Sequence, residues 1–283
     1  MPNGTLSLRA HLNKIGEPKP GKAIPAIPSG LHSCPRSLKA AAHAMNPPLI
    51  ESWVQSHVSS FENLTWSEEC QGLTTDGQYW YVCSNNEDYR AIYKFSLNFN
   101  QSLGSVELPT GSGNHVGDID YYDGKIYIAV ADPKSRVWVI DGNLNTLEVT
   151  DLDPAVSFFM GWCAINPWNG YLYSSAGDGV HRIHVYDPAK QFAYKGVLPL
   201  GGTPVNGLQG GCFSSNGKLY LTSDKYVNEE ATKDIRAYSA LNGAFLGAHD
   251  VAYDEEWPES EEWKGWRLRT WYMAAEIRRT CTL

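Results

Sequence analysis

The feature that most constrains this chain is a hairpin signature that returns every 46 or 47 residues, marked by Tyr81, Tyr127, Tyr173 and Tyr220. The first unit reads Gln71-Gly72-Leu73, then Asp76-Gly77, then Tyr79-Trp80-Tyr81-Val82. The second reads Gly117-Asp118-Ile119, Asp123-Gly124, Ile126-Tyr127-Ile128. The third reads Trp162-Cys163-Ala164-Ile165, Asn169-Gly170, Leu172-Tyr173-Ser174, and the fourth Gln209-Gly210-Gly211-Cys212-Phe213, Asn216-Gly217, Leu219-Tyr220-Leu221. Asp-Gly and Asn-Gly supply the positive φ that a tight hairpin turn needs. Each unit therefore starts with two antiparallel strands.

A second apolar run follows in every unit, at Ala91–Phe95, Val137–Ile140, Ile183–Tyr186 and Ile235–Tyr238. Each run ends at a turn and leads to a fourth strand, such as Thr146–Thr150 or Phe245–His249. Four short strands in each repeat of this length are the pattern of a propeller blade. A β-sandwich also has short strands, but it does not repeat a Gly-plus-Tyr signature at a fixed period. The repeat predicts an all-β fold, a five-bladed β-propeller over 49–283 whose fifth blade is incomplete or misread at the C-terminus. The expected blades span about 66–108, 113–151, 158–200 and 205–250, with the fifth from 258–283 plus 49–65. Residues 1–48 are rich in Pro, Gly and Ser, show no periodicity, and read as a disordered leader or a misassigned N-terminus.

Charge and apolar patterning narrow the partners. The chain carries 23 basic and 31 acidic residues, a net charge of −8. With no basic stripe, this argues against nucleic acid and anionic membrane surfaces. No apolar run approaches the roughly 18 residues of a membrane span. A monomer that binds a small molecule is expected. The six cysteines, Cys34, Cys70, Cys83, Cys163, Cys212 and Cys281, include no CxxC pair, so a thiolate zinc site is not indicated. Buried free thiols are the simplest reading, and a Cys70–Cys83 bridge is the best disulfide candidate.

In a propeller the first strand of each blade lines the axis. The residues at its start then converge: Glu69 and Gln71, His115 and Asp118, Trp162, Asn206 and Gln209, and Glu262 in the fifth blade. Oxygen donors in such a ring suit a hard cation such as Ca²⁺, with Glu69, Asp118 and Glu262 as ligands. For an enzyme the ring can supply an acid–base pair, such as His115 with Asp118 or Glu69. Gln71, Trp162, Asn206 and Gln209 are the candidate ligand contacts, Trp162 as a stacking platform. Each also has a structural reading: Asp118 as an acceptor of backbone amides, His115 as a loop strut, Trp162 as a core wedge. The chain has no G-x-S-x-G, H-E-x-x-H, P-loop or G-x-G-x-x-G motif. Asn3, Asn63 and Asn100 begin N-x-[ST] sequons.

The Gln71-Gly72-Leu73, His115-Val116-Gly117-Asp118-Ile119 and Gln209-Gly210-Gly211 motifs, with Gly-x-Leu-Tyr hairpins at Gly170–Tyr173 and Gly217–Tyr220, resemble a group of known propellers. These are secreted-type propellers of the wider strictosidine-synthase, gluconolactonase and glutaminyl-cyclase superfamily. The resemblance spans residues 66–250. It implies a secreted or extracellular protein and a metal ion on the axis, to which Glu69, His115 and Asp118 correspond. The complete carboxylate set of a lactonase is not evident. Two function classes remain: a propeller that binds a metal ion or a small polar ligand such as a sugar, and a non-redox hydrolase, lactonase or cyclase using the axial ring.

The expected start of the fifth blade coincides with Glu261-Glu262-Trp263-Lys264-Gly265, after which Arg267, Arg269, Arg278 and Arg279 break any apolar face. Trp has one codon, so a shifted frame can be read there. Taking the last base of each codon with the first two of the next turns Glu262-Trp263 into Met or Val. Trp263-Lys264 becomes Glu, Lys264-Gly265 becomes Gly or Arg, and Gly265-Trp266 becomes Leu, Met or Val. Met-Glu-Gly-Leu is then a permitted reading, close to Gln71-Gly72-Leu73. Sequencing the transcript tests this. The expected result is a base insertion, a deletion or a different splice junction near codon 262; a message that encodes Trp263–Leu283 in the present frame overturns it.

Overall fold

A computed structural model describes residues 66, 69–86, 89–156, 159–227 and 230–251. Four four-stranded antiparallel sheets follow one another along the chain. Blade one holds β1 (Cys70–Thr75), β2 (Tyr79–Asn85), β3 (Arg90–Ser96) and β4 (Ser102–Glu107). Blade two holds β5 (His115–Tyr122), β6 (Lys125–Ala131), β7 (Arg136–Asp141) and β8 (Thr146–Asp151). Blade three holds β9 (Ala164–Ile165), β10 (Leu172–Ser174), β11 (Arg182–Asp187) and β12 (Ala193–Pro199). Blade four holds β13 (Leu208–Phe213), β14 (Lys218–Val227), β15 (Glu230–Ser239) and β16 (Phe245–Val251). Within each sheet every strand pairs with the next in sequence.

The hairpin turns form where the sequence placed them. Asp76 Oδ1 accepts hydrogen bonds from the N–H groups of Gln78 and Tyr79, both at 2.7 Å, while Gly77 takes a φ of 88°. Asp123 and Gly124 both have positive φ, 49° and 80°, as a two-residue hairpin of primed type requires. Asn169 Oδ1 accepts from Tyr171 N at 2.9 Å.

Side-chain alternation then sorts each strand between two neighbours. Along β6, Ile126, Ile128 and Val130 enter a core shared with Tyr81, Cys83 and Ile92 of blade one. Tyr127, Ala129 and Ala131 enter a core shared with Cys163, Ile165, Leu172 and Tyr186 of blade three. A third core joins Tyr173 and Ile183 of blade three to Phe213, Leu219 and Tyr238 of blade four, and it extends to Leu73, Trp80 and Val82 of blade one. Sheets buried on both faces, with outer strands such as β4 largely exposed, are propeller blades rather than sandwich halves. The inner strands meet at the centre: β5 touches β1, β9 and β13, and β13 touches β9.

The described residues hold four blades, not five. The spans assigned to the fifth, 258–283 and 49–65, lie outside the described residues, as do the 1–48 leader and Glu262. The Cys70–Cys83 bridge is corrected: both are free, buried thiols, as are Cys163 and Cys212. The two side chains enter different cores. Cys70 lies with Trp66 and Trp80, its Sγ 3.0 Å from the Trp66 carbonyl, while Cys83 lies with Val116 and Ile128. Burial pushes all three thiols, Cys70, Cys83 and Cys163, well above the ordinary thiol range, so they stay protonated and unreactive.

Blade two meets blade three backbone to backbone. A Cβ on Gly117 would lie 2.3 Å from the Gly161 carbonyl oxygen. Gly117→Ala is expected to force the strands apart and to cost about 1–3 kcal/mol, read as a lower denaturation midpoint. An unchanged midpoint would place these strands farther apart than described.

Candidate functional site

The strand pairing sets which residues are equivalent around the axis. Thr74, Asp120, Ala164 and Cys212 pair with Tyr81, Tyr127, Tyr173 and Tyr220 respectively. Counting two residues back along each inner segment, Gly72, Asp118, Trp162 and Gly210 share one level. Two glycines thus stand where the other blades carry large or charged side chains. Three inner strands also have a bulge here, between Cys70 and Gly72, Val116 and Ile119, and Leu208 and Gly210. A bulge re-aims the side chains beside it. Gln71, Asp118 and Gln209 are the residues concerned.

Asp118 is the hub. Its side chain is buried. Oδ1 accepts from Ile119 N at 2.8 Å, and Oδ2 accepts from Gly211 N in blade four at 3.3 Å. Its own N–H donates to the Gly161 carbonyl of blade three at 2.9 Å. A Cβ on Gly72 of blade one would sit 2.7 Å from Asp118 Oδ1. One residue therefore contacts all four blades. Burial raises the carboxyl well above the usual carboxylate range; the Ile119 N–H opposes this, nearby Asp120 adds to it, and the Gly211 N–H again opposes it.

Trp162 is fully buried, and its indole N–H donates to Ser175 Oγ at 3.0 Å. A Cβ on Gly211 would come within 2.7 Å of the indole ring. Trp162 and Gly211 are in close contact, so the tryptophan fills the gap between blades three and four. Gln71 is buried, and Gln209 is half-buried.

The other candidates lie at the mouth, the end of the axis opposite the β1–β2 type turns. His115 opens β5, half-buried, with its ring 5.0 Å from that of Phe159. Phe159 lies over backbone without side chains: a Cβ on Gly161 or Gly177 would be 3.4 or 3.8 Å from its ring. The segment after His115 is held by a relay. Glu69 Oε2 accepts from Asn85 Nδ2 at 2.9 Å, and Asn85 Oδ1 accepts from Val116 N at 2.9 Å. Asn114 Nδ2 reaches Asp132 Oδ2 at 3.3 Å beside it. Asn206 and Asp178 form a reciprocal clamp between blades three and four. Asn206 Oδ1 accepts from Gly179 N at 2.9 Å, and Asp178 Oδ1 accepts from Gly207 N at 2.7 Å. Phe159 and Gly161 were not singled out from sequence, and Gly211 was named only as part of the Gln209-Gly210-Gly211 motif. The paired glycines Gly210-Gly211 inside a strand were the available signal of close backbone approach.

The axial metal implied by the resemblance can be tested against these donors. Both Asp118 oxygens face N–H groups, and burial favours the neutral acid. The Glu69 carboxylate is engaged by the Asn85 amide. Glu262, the third candidate ligand, lies outside the described residues, and among the described residues no group of three or more His, Cys, Asp or Glu side chains is placed to hold a metal. No described helix is long and apolar enough to cross a membrane.

Fold and centre together define a β-propeller. No protein-family model matches the chain, and no curated protein does. Among solved structures it is similar to a chain of the hydrazine synthase of Kuenenia stuttgartiensis, 12% identical over 71% of this chain and 53% of that one, with a TM-score of 0.46. It spans about half the length of that chain. A chain of a nidogen/laminin complex is 15% identical over 68% of this chain and 67% of that one, with a TM-score of 0.48. Streptogramin B lyase is 10% identical over 69% and 57%, with a TM-score of 0.44. None of these likenesses bears on what the chain binds.

The buried Asp118 carboxyl predicts a pH signature. A raised folded-state value means the folded chain holds this proton when the unfolded chain has lost it. Its contribution is therefore intact below the ordinary Asp range near 4 and is lost as pH rises from there towards the raised value. Asp118→Asn cannot titrate. Thermal melts are expected to show the variant less stable than wild type at pH 4, with the gap shrinking towards pH 8. A gap that is constant or widens with pH rules out the raised value.

Proposed function

We propose that this chain is a binding propeller that takes a small, neutral, polar ligand, a saccharide by its chemistry, at the axial mouth against the His115–Phe159 pair. The supporting observation is that aromatic pair, half-buried above glycine backbone at the place where inner strands converge. An aromatic face offers a sugar's C–H surface a flat apolar contact, and neighbouring polar groups orient its hydroxyls. Asn114, Asp132 and Asp178 stand on loops at the same end, and the carboxylates of Asp132 and Asp178 disfavour an anionic ligand. In this reading Gln71, Asp118, Trp162, Asn206 and Gln209 hold the mouth in shape, and Glu69 acts through Asn85.

The five-bladed architecture belongs to the same proposal. Leu73, Trp80 and Val82 form the face of blade one turned from blade two, and Cys212, Tyr220, Ile235 and Ala237 the face of blade four turned from blade three. Both faces are apolar and suit a further blade from 258–283 and 49–65. The protein is secreted and monomeric in this reading.

Titration with a panel of mono- and disaccharides, followed by calorimetry, is the test. Binding by wild type is expected, with His115→Ala and Phe159→Ala each weakening it about tenfold, the upper range for one lost aromatic contact, while circular dichroism stays unchanged. Silence across the panel, or binding untouched by both substitutions, defeats the reading.

A further inference from the structure

The sequon at Asn100-Gln101-Ser102 lies in the β3–β4 turn, and we propose that Asn100 is an acceptor site for an N-linked oligosaccharide. The turn is held by its own core residue. Phe99 adopts a φ of 56°, and its ring stacks on Trp80 at 5.6 Å and lies 5.5 Å from Phe95. With Phe99 anchored inward, Asn98 and Asn100 on either side are exposed. Phe99 N donates to the Ser96 carbonyl at 2.9 Å, and Ser96 N donates to the Gln101 carbonyl at 3.1 Å, which closes the loop.

The acceptor amide is exposed, with its oxygen close to the Ser96 hydroxyl. Ser96 Oγ lies 2.8 Å from Asn98 Oδ1 and 3.0 Å from Asn100 Oδ1, and its one proton serves either amide oxygen. Asn100 Oδ1 thus sits beside the turn, while the residue itself is exposed. Gln101 is not proline, and Ser102 is exposed at the start of β4, so the hydroxyl that completes the triplet is accessible with the amide. Transfer joins Asn100 Nδ2 to the anomeric carbon of a lipid-linked oligosaccharide. The carbon–oxygen bond to the lipid pyrophosphate breaks, the pyrophosphate leaves with that electron pair, and one amide proton goes to base; no redox partner is involved.

The position also has a physical consequence. β4 is the outermost strand of blade one, exposed along nearly its whole length, with Leu97 and Leu103 exposed beside the sequon. An exposed strand edge with apolar neighbours is a template for unwanted pairing, and a bulky hydrophilic group blocks it. The β3–β4 turn lies at the end of the blade opposite His115, so a glycan there leaves the mouth open.

The proposal rests on the secreted reading above, and the test separates the two. The purified, folded full chain is incubated with a single-subunit oligosaccharyltransferase and a lipid-linked oligosaccharide, then mapped by peptide mass spectrometry. Expected is a glycan on the peptide containing Asn100, absent in Asn100→Gln and in Ser102→Ala. No glycan on that peptide overturns the acceptor site, whether or not Asn3 or Asn63 is modified. The second arm examines protein isolated from its own source, treated with peptide N-glycosidase. Conversion of Asn100 to Asp supports both readings. An unconverted Asn100 in a protein that is modified in vitro overturns secretion and leaves the acceptor geometry standing.

Discussion

One carboxyl group at the axis governs how closely the blades can approach. Asp118 is a buried polar side chain, and a buried polar atom without a partner costs more than a hydrogen bond returns. Its oxygens are therefore matched to N–H groups of blade two and blade four, and its own N–H to a carbonyl of blade three. Those bonds require backbone at contact distance from several sides. Glycine permits that at 72, where a Cβ would meet Asp118, and at 117, where it would meet the Gly161 carbonyl, while Gly211 leaves room for Trp162. The glycines and the acid are one solution to one packing problem.

From that centre outward the burial changes in character. Next to the axis, inner strands pack through backbone. In the middle strands, alternation divides each sheet between two cores, as β6 does with Ile126, Ile128 and Val130 on one side and Tyr127, Ala129 and Ala131 on the other. At the rim the outer strands are mostly exposed. The two ends also differ. The turn end is tied by contacts such as Tyr81 Oη donating to Asp76 Oδ2 at 2.9 Å and Lys94 Nζ donating to the Gly142 carbonyl of blade two at 2.6 Å. The mouth end is built from longer loops, held by side chains that cap backbone N–H groups. A binding surface there can vary without disturbing the cores below it.

Much of the fold was legible because its information is local. A positive φ at Gly77 or Gly124 is a requirement of two residues, and Asp-Gly announces it. The strand alternation that follows is a matter of period two. The site was legible only in outline. The repeat drew attention to Gln71, Asp118, Trp162 and Gln209 as leading positions of inner strands, but equivalence in sequence did not make them equivalent in role. Trp162 fills a gap between blades that Gly211 leaves, and Asp118 occupies room that Gly72 leaves. Phe159 had no signal of its own: it belongs to a connection between repeats, where no period applies. The disulfide expectation failed for a related reason. Cys70 and Cys83 flank a hairpin, yet alternation across the sheet sends their sulfurs into separate cores.

The amino-acid sequence by itself determined the unit, a four-stranded sheet begun by a tight hairpin, and its repetition at a constant length, because turn chemistry and side-chain alternation act between neighbours in the chain. Tertiary structure alone decided what stands at the centre. Gly211 lies 93 residues from the carboxyl it serves, and no local pattern states that two such distant groups will meet. Their pairing follows from the demand that a carboxyl shut away from water find donors wherever the packed backbone supplies them.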